Sequence, residues 1–421
     1  MKKHKKQKRK KNNISFEFII ENEIKNNKLR TFFPNNFHNL NSSNFLSSKK
    51  EHEDLTKIDF LTIDSEDSKD FDDAVFVKKK DSTLQIFIAI ADVSFYVKSN
   101  DIFDVEAKKR GNSFYLPNMA IPMLPEYLSN NICSLIPGEK RKCIVLKSEI
   151  DFEGNILNSK ISRSEIISKQ RLTYEKVEEI FYNKSLKQQV IDDLFFCYEI
   201  LKKNSDKRGK IDFNLQEFKI EVNKTNVSIK KLKKFKSTKI IEELMIFANS
   251  TIARHLSENN IKSIYRNHKK PSNEKIEKLI LVLKKLNIKT NKNVIENSKS
   301  QNYFSKLIKH PKFNFLKDIL LKTQSKAYYH YENQGHYGLG LKHYTHFTSP
   351  IRRYSDLLVH RIICASFFHN NKNEIHNISD SLCEHLLEQE KKGELLERGL
   401  IEKACCIHIK NMKKKIFFWF H

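Results

Sequence analysis

CxxC pairs, long apolar runs and internal repeats are all missing from this 421-residue sequence, and each absence removes a class of protein. The seven cysteines (Cys133, Cys143, Cys197, Cys364, Cys383, Cys405 and Cys406) include no CxxC pair. Their odd number and irregular spacing argue for free thiols in a reducing cytosol, against a disulfide framework or a zinc site. No apolar run approaches the roughly 18 residues that would span a bilayer. The basic amino terminus, Met1 to Lys11, lacks the apolar stretch of a secretory signal. Without repeats, solenoid folds are excluded. The expectation is a cytoplasmic chain that does not enter a membrane. Glycine and proline are scarce, nine and eight, so their placement carries information. Gly335, Gly338 and Gly340 fall within six residues, where the backbone should turn sharply or approach a ligand closely. Pro117, Pro122 and Pro125 mark a rigid irregular loop.

Acidic residues are also in deficit: 51 Asp plus Glu stand against 77 Lys plus Arg, a formal net charge of +26. That balance points to a polyanionic partner, either nucleic acid or an anionic surface. A genome biased toward Lys, Asn and Ile codons would supply part of the excess, so charge alone decides little. Against this background, T-I-D-S-E-D-S-K-D-F-D-D-A-V at 62–75 places five aspartates (Asp64, Asp67, Asp70, Asp72 and Asp73) within ten positions. Crowded carboxylates repel and raise one another's pKa. A divalent cation removes that repulsion, and oxygen-only ligands select a hard ion, Mg²⁺ or Mn²⁺, over zinc. Two ions held by shared carboxylates could activate a water and stabilise the leaving oxygen at phosphorus. A solvated acidic loop is the ordinary alternative. An EF-hand is not, because the mid-loop glycine is missing.

Phe60 to Ile63, Ala74 to Val77 and Leu84 to Val93 read as strands, with Asp64 delivered at the end of the first. In an extended loop Asp70 and Asp72 project alike and Asp73 points away. Lys239 to Leu256 reads as a helix, and Glu374 to Ile407 as one or two charged terminal helices. A second motif, H-Y-T-H-F-T-S-P-I-R-R-Y-S-D-L-L-V-H-R at 343–361, predicts a helix with Ser349 as N-cap and Pro350 at its first position. Arg352 and Arg353 would then sit in the first turn, where a guanidinium can clamp a phosphate and stabilise developing charge. The competing reading pairs Arg353 with Asp356 or Asp104 in an ordinary ion pair. His330, His336, His343 and His346 lack the i, i+4 pairing of a zinc helix.

Together these two motifs resemble the signatures of the ribonuclease II / ribonuclease R (RNB) family, closer to its ribonuclease R branch. Matching stretches follow in order: I-A-D-V-S-F-Y-V at 90–97, R-G-N-S-F-Y-L-P at 110–117, R-L-T-Y at 171–174, R-G-K-I-D-F at 208–213, E-E-L-M-I-F-A-N at 242–249 and G-H-Y-G-L-G-L at 335–341. The resemblance implies an α+β catalytic domain of mixed sheets and flanking helices, with a channel for single-stranded RNA ending at a Mg²⁺ site (or Mn²⁺). It implies a monomer that hydrolyses RNA from a free 3′ end to nucleoside 5′-monophosphates. Asp64, Asp70, Asp72 and Asp73 would match the metal and catalytic acids, Asp72 being the one whose loss stops cleavage while sparing binding. Asp67 matches none of them and is expected to be a solvated loop residue. Arg352 would match the arginine at the scissile phosphate, with Arg353 beside it among the RNA contacts. Tyr115 would pack on the terminal base with Phe213 as its stacking partner, although Phe213 by type is equally core-like. Glu243, or its neighbour Glu242, and Glu397 would be acids near the RNA.

The expected organisation is a basic tail at 1–13, an irregular helical segment at 14–56, the catalytic domain at 57–400 and a tail at 401–421. The resemblance would place RNA-binding OB barrels on either side of such a domain. Neither is expected here, and a truncated or frameshifted product is one reading of the final N-M-K-K-K-I-F-F-W-F-H. The Lys-rich tail is expected to substitute partly for the missing barrels.

Overall fold

Runs of Val, Ile and Phe of strand length build the centre of the protein, here a computed structural model describing residues 15–34, 37, 52–223, 226–290, 300–368 and 378–419. The basic tail at 1–13 and the Asn/Ser-rich breaks at 39–48 lie outside the described residues. In chain order the strands are β1 (Glu53–Asp54), β2 (Phe60–Asp64), β3 (Asp73–Lys79), β4 (Thr83–Ala91), β5 (Phe114–Leu116), β6 (Met119–Ile121), β7 (Lys140–Asp151) and β8 (Ile156–Thr173). They continue with β9 (Phe218–Asn223), β10 (Asn226–Lys231), β11 (Tyr265–His268) and β12 (Ala327–His330).

The main sheet closes on itself. The 18-residue β8 pairs antiparallel with β7 through Ile167 and then parallel with β2 from Ser168 to Thr173. The ladder therefore runs β8–β2–β3–β4–β7 and returns to β8, with β1 added at one edge. Closure buries both faces of the inner strands, which explains why β4 is apolar nearly throughout, with Ile86 to Ala91 all buried. The strand predicted to continue through Val93 stops two residues earlier. Asp92 instead accepts the Phe95 N–H at 3.1 Å and caps a short helix.

The helices are α1 (Phe16–Asn26), α2 (Val93–Tyr96), α3 (Ile102–Arg110), α4 (Tyr174–Tyr182), α5 (Gln189–Lys207), α6 (Lys236–Glu258), α7 (Asn273–Lys285), α8 (Ser300–Ile308), α9 (Phe313–Thr323), α10 (Tyr354–Ile363) and α11 (Asp380–Trp419). The predicted central helix is α6, one turn longer than the periodicity suggested. The charged terminal segment is the single helix α11. Apolar residues of α6 and α10 join the barrel strands in the largest core cluster. A second cluster gathers Phe16 and Ile20 of α1, Phe114 and Leu116 of β5, Ile220 and Val222 of β9, and Leu396 and Leu400 of α11. A third is shared by α7, α8 and α9.

Two punctuated loops resolve differently from their reading in sequence. The stretch around Pro117 is not wholly irregular: β5 and β6 form a hairpin whose turn places Asn118 at φ 62°, a conformation that asparagine tolerates. At Gly340 a Cβ would lie 2.4 Å from the Arg208 carbonyl oxygen, so the close approach is to another backbone segment, not to a ligand.

Candidate active site

The acidic loop is held at both ends and in the middle. β2 ends at Asp64 and β3 begins at Asp73, with Leu61 opposite Val75 in an antiparallel register that sets Asp73 beside the end of β2. Between them Phe71 is buried, its N–H donating to Ser134 Oγ at 2.9 Å and its carbonyl accepting from Leu135 at 3.0 Å. Anchoring Phe71 places Asp70 and Asp72 on opposite sides of a fixed residue. Asp73, expected to point away, lies within the field of Asp64, because the strand register and not the loop's own alternation decides its direction.

The carboxylates perturb one another as crowded acids should. Burial, then the charge of Asp70, raises Asp64 to about 6. Burial, then the charge of Asp64, raises Asp73 to about 8. Burial pushes Asp72 well above the usual carboxylate range, against the opposing charge of Arg352. Asp64 Oδ2 is buried with no hydrogen-bond partner. Asp70 accepts the Tyr115 hydroxyl at 2.6 Å. Asp67 pairs with Lys219 of β9 across the loop's outer side, so it is solvated, as expected, but not unpaired. Among the described residues, no three acidic, histidine or cysteine side chains yet stand close enough together to share one metal ion. The donor set itself suits a hard cation: it is all carboxylate, with one buried oxygen lacking any partner.

The second motif meets this loop. Asp72 Oδ1 accepts the Ile351 N–H at 2.8 Å, and Arg352 Nε lies 3.5 Å from Asp72 Oδ2. The segment that carries Arg352 is pinned by buried side chains. Asn249 of α6 accepts the Phe347 N–H at 2.8 Å, His360 of α10 bonds the Phe347 carbonyl at 2.8 Å, and Asp356 accepts the Ser349 N–H at 2.8 Å. Arg352 also donates to Ser349 Oγ at 3.0 Å, and its side chain stays 44 % exposed, which leaves the guanidinium free to meet a ligand.

Here the predicted helix start is corrected. Helix α10 begins at Tyr354, four residues after Pro350, and Arg353, not Ser349, is its N-cap. The cause is pairing with the segment after α3: Arg353 bridges Asn112, Tyr354 N–H donates to the Gly111 carbonyl, and Ser113 N–H to that of Arg352. Arg353 is correspondingly turned inward, 2.6 Å from the fully buried Asp356, and so fixes the helix start. Asp104, the other partner considered, is occupied by Arg361 and Tyr354, each at 2.7 Å.

Tyr115 projects from β5 with its neighbours Phe114 and Leu116 buried, which leaves its ring half exposed beside Asp70. It lines a cavity of about 1020 Å³ together with Asp70, Phe218, Lys219 and Glu397. Glu397 thus shares the cavity with Tyr115 and Asp70, exposed on α11. Phe213 is partly buried against the α7–α9 cluster. Glu243 lies inside the fold. It is 3 % exposed and committed to Ser205 at 2.7 Å and Lys210 at 2.8 Å, so of the pair only Glu242 keeps an accessible carboxylate. Sequence reasoning gave no role to the motif R-L-T-Y at 171–174. Yet Tyr174 lies in the field of Asp64 and Asp73, and Arg171 touches the acidic loop. The motif's order beside a β-strand end was the available signal.

The family model described as "RNB domain" matches residues 52–368. Ribonuclease R of Mycoplasma genitalium is similar, 38 % identical over 332 residues, 76 % of this chain and 46 % of the relative. Ribonuclease R of Escherichia coli is 38 % identical over 321 residues, 74 % of this chain and 40 % of the relative. The chain thus spans about half the length of the curated relatives it matches, or somewhat less. A solved structure of Mycoplasma genitalium RNase R in complex with ribose-methylated single-stranded RNA covers 94 % of this chain and 65 % of its own, at 31 % identity and a TM-score of 0.85.

Proposed function

The chain belongs to the RNB family, and from that premise we propose that it hydrolyses single-stranded RNA from a free 3′ end, releasing nucleoside 5′-monophosphates. The observation that carries the reading is the junction of the two motifs, where Asp72 holds the Ile351 N–H and faces Arg352. Asp64, Asp70, Asp72 and Asp73 are the residues that would hold Mg²⁺ or Mn²⁺. Such an ion, when bound, lowers the pKa of a water and stabilises the leaving oxygen of a phosphodiester.

The protein's own groups do the remainder. Arg352, with a half-exposed guanidinium on a pinned backbone, meets the scissile phosphate and stabilises the charge that grows on it. Tyr115 offers a ring face to the terminal base, a sequence-tolerant grip, and Phe213 adds to it from the edge of the helical cluster. Glu397, which lines the cavity beside Tyr115, and the pair Glu242 and Glu243 are the acids proposed to lie near the RNA. The complex of the Mycoplasma genitalium relative with single-stranded RNA supports this substrate class. The described cysteines are all free, which supports work in the cytoplasm; the chain is proposed to act as a monomer.

The test is incubation with 5′-labelled RNA bearing a free 3′ tail, with and without Mg²⁺. The expected result is shortening from the 3′ end with release of mononucleotides, in the wild type only. Binding without shortening, or equal shortening by Asp72→Asn, would overturn the proposal.

A further inference from the structure

Arg171 lies on β8, in parallel register with Thr62 of β2, two residues before Asp64. Its Nη2 donates to the carbonyl of Ser65 at 2.8 Å and of Glu66 at 2.6 Å, the first two residues after Asp64. Its guanidinium carbon also lies 5.7 Å from the centre of the Phe71 ring, the residue before Asp72. One side chain on a rigid barrel strand therefore touches both ends of the loop that carries the acids. Arg171 Nε is buried without a hydrogen-bond partner, and so is Asp64 Oδ2. A buried donor and a buried acceptor left unsatisfied are costly unless something else compensates them. Both bonds come from the single nitrogen Nη2 at the far end of the side chain, a position that the shorter lysine side chain would reach only in part.

We infer that Arg171 is a positioning residue of the acidic site: it fastens the Ser65–Phe71 loop at both ends so that Asp64 remains aligned with Asp70, Asp72 and Asp73. Arg171 itself touches neither RNA nor metal. Its effect passes through the loop backbone, as outer groups around a metal site orient the ligands inside it. This inference rests on the metal-dependent reading proposed above.

The experiment compares the full chain with Arg171→Lys and Arg171→Met by calorimetric titration with Mg²⁺ and by thermal melting. Limited trypsin digestion adds cleavage after the exposed Lys69, followed by mass spectrometry. Both variants are expected to bind Mg²⁺ about tenfold or more weakly, as loss of a supporting outer group does elsewhere. They are also expected to be cut faster after Lys69 while retaining the wild-type melting temperature. The lysine variant tests the reach and placement of the donor separately from the charge. Wild-type Mg²⁺ affinity in Arg171→Lys would overturn the inference, as would unchanged cleavage at Lys69 in both variants. If the wild type itself binds no Mg²⁺, the metal-dependent reading fails, and the digestion alone then decides whether Arg171 fastens the loop.

Discussion

Asp72 and Ile351 stand 279 positions apart in sequence, yet the carboxylate of one accepts the backbone N–H of the other at 2.8 Å. That bond ties the acidic loop to the segment carrying Arg352. It uses one carboxylate oxygen for architecture and leaves the second facing the guanidinium. Because both functions fall on one buried residue, its isosteric replacement separates them.

In Asp72→Asn the side-chain oxygen still accepts from Ile351, so folding and RNA affinity should persist while the charge is lost. Removing one preorganised electrostatic group of an active centre costs on the order of 10²–10³ in rate. A fall of that size in mononucleotide release, with RNA binding within about twofold of wild type, is the expected outcome. Gel-based degradation alongside filter binding measures both.

Arg352 presents a different case, since its side chain is 44 % exposed and its ion pair with Asp72 spans 3.5 Å. Only Arg352 is exposed; the buried Asp72, already pushed well above the usual carboxylate range, can take up a proton when the guanidinium is removed, which limits the loss of stability. Arg352→Ala should therefore melt close to wild type yet lose roughly 10²–10³ in rate. Arg352→Lys, which keeps the charge without the two-point fork, should recover only part of it. Equal activity of all three proteins would remove Arg352 from the mechanism.

Tyr115 combines a ring face with a hydroxyl bound to Asp70 at 2.6 Å, and two substitutions divide these. Tyr115→Phe keeps the stacking surface and frees Asp70, so RNA affinity should hold while the Mg²⁺ dependence shifts. Tyr115→Ala removes a stacked base contact of about 1–3 kcal/mol, a weakening of roughly 5- to 150-fold. It should also change the length of the final oligonucleotide, read on a sequencing gel. An unchanged product length would exclude Tyr115 from the end of the RNA path.

How far these features can be read from sequence depends on how local their causes are. Asp64 at a strand end and the strands around the loop follow from apolar runs a few residues away. The inward turn of Arg353 does not. It depends on Asn112 and Gly111, which meet it only once α3 has packed, so a good Ser-Pro helix start was overridden by a distant β-bridge. The burial of Glu243 is likewise illegible locally, because nothing nearby in sequence announces Ser205 and Lys210 as its partners. No role for Arg171 is legible in its motif, since contact with Ser65 and Glu66 needs the closed barrel.

The histidines between β11 and α10 yield a prediction independent of metal and RNA. Burial first, then the neighbouring His268 and Arg266, lowers His336 to about 3. Its ring centre lies 5.0 Å from that of His268 and 5.1 Å from that of Tyr344, and its Nδ1 accepts the Leu339 N–H at 3.2 Å. Below its ordinary pKa of about 6.5 the unfolded chain takes up a proton that the native protein refuses. Stability from this group is therefore complete above about pH 6.5 and is lost as the pH falls toward 3. In metal-free protein Asp64 and Asp73, raised to about 6 and about 8, act with the opposite sign, favouring the native state at lower pH. Only a difference between variants isolates His336. In His336→Asn the amide oxygen can accept from Leu339, and the titrating proton is gone. Urea unfolding of both proteins between pH 7.5 and 5 should show the wild type losing stability more steeply, by up to about 1.4 kcal/mol per pH unit for one proton. Parallel curves would mean that His336 is protonated in the native state and that its burial is offset by a neighbouring charge.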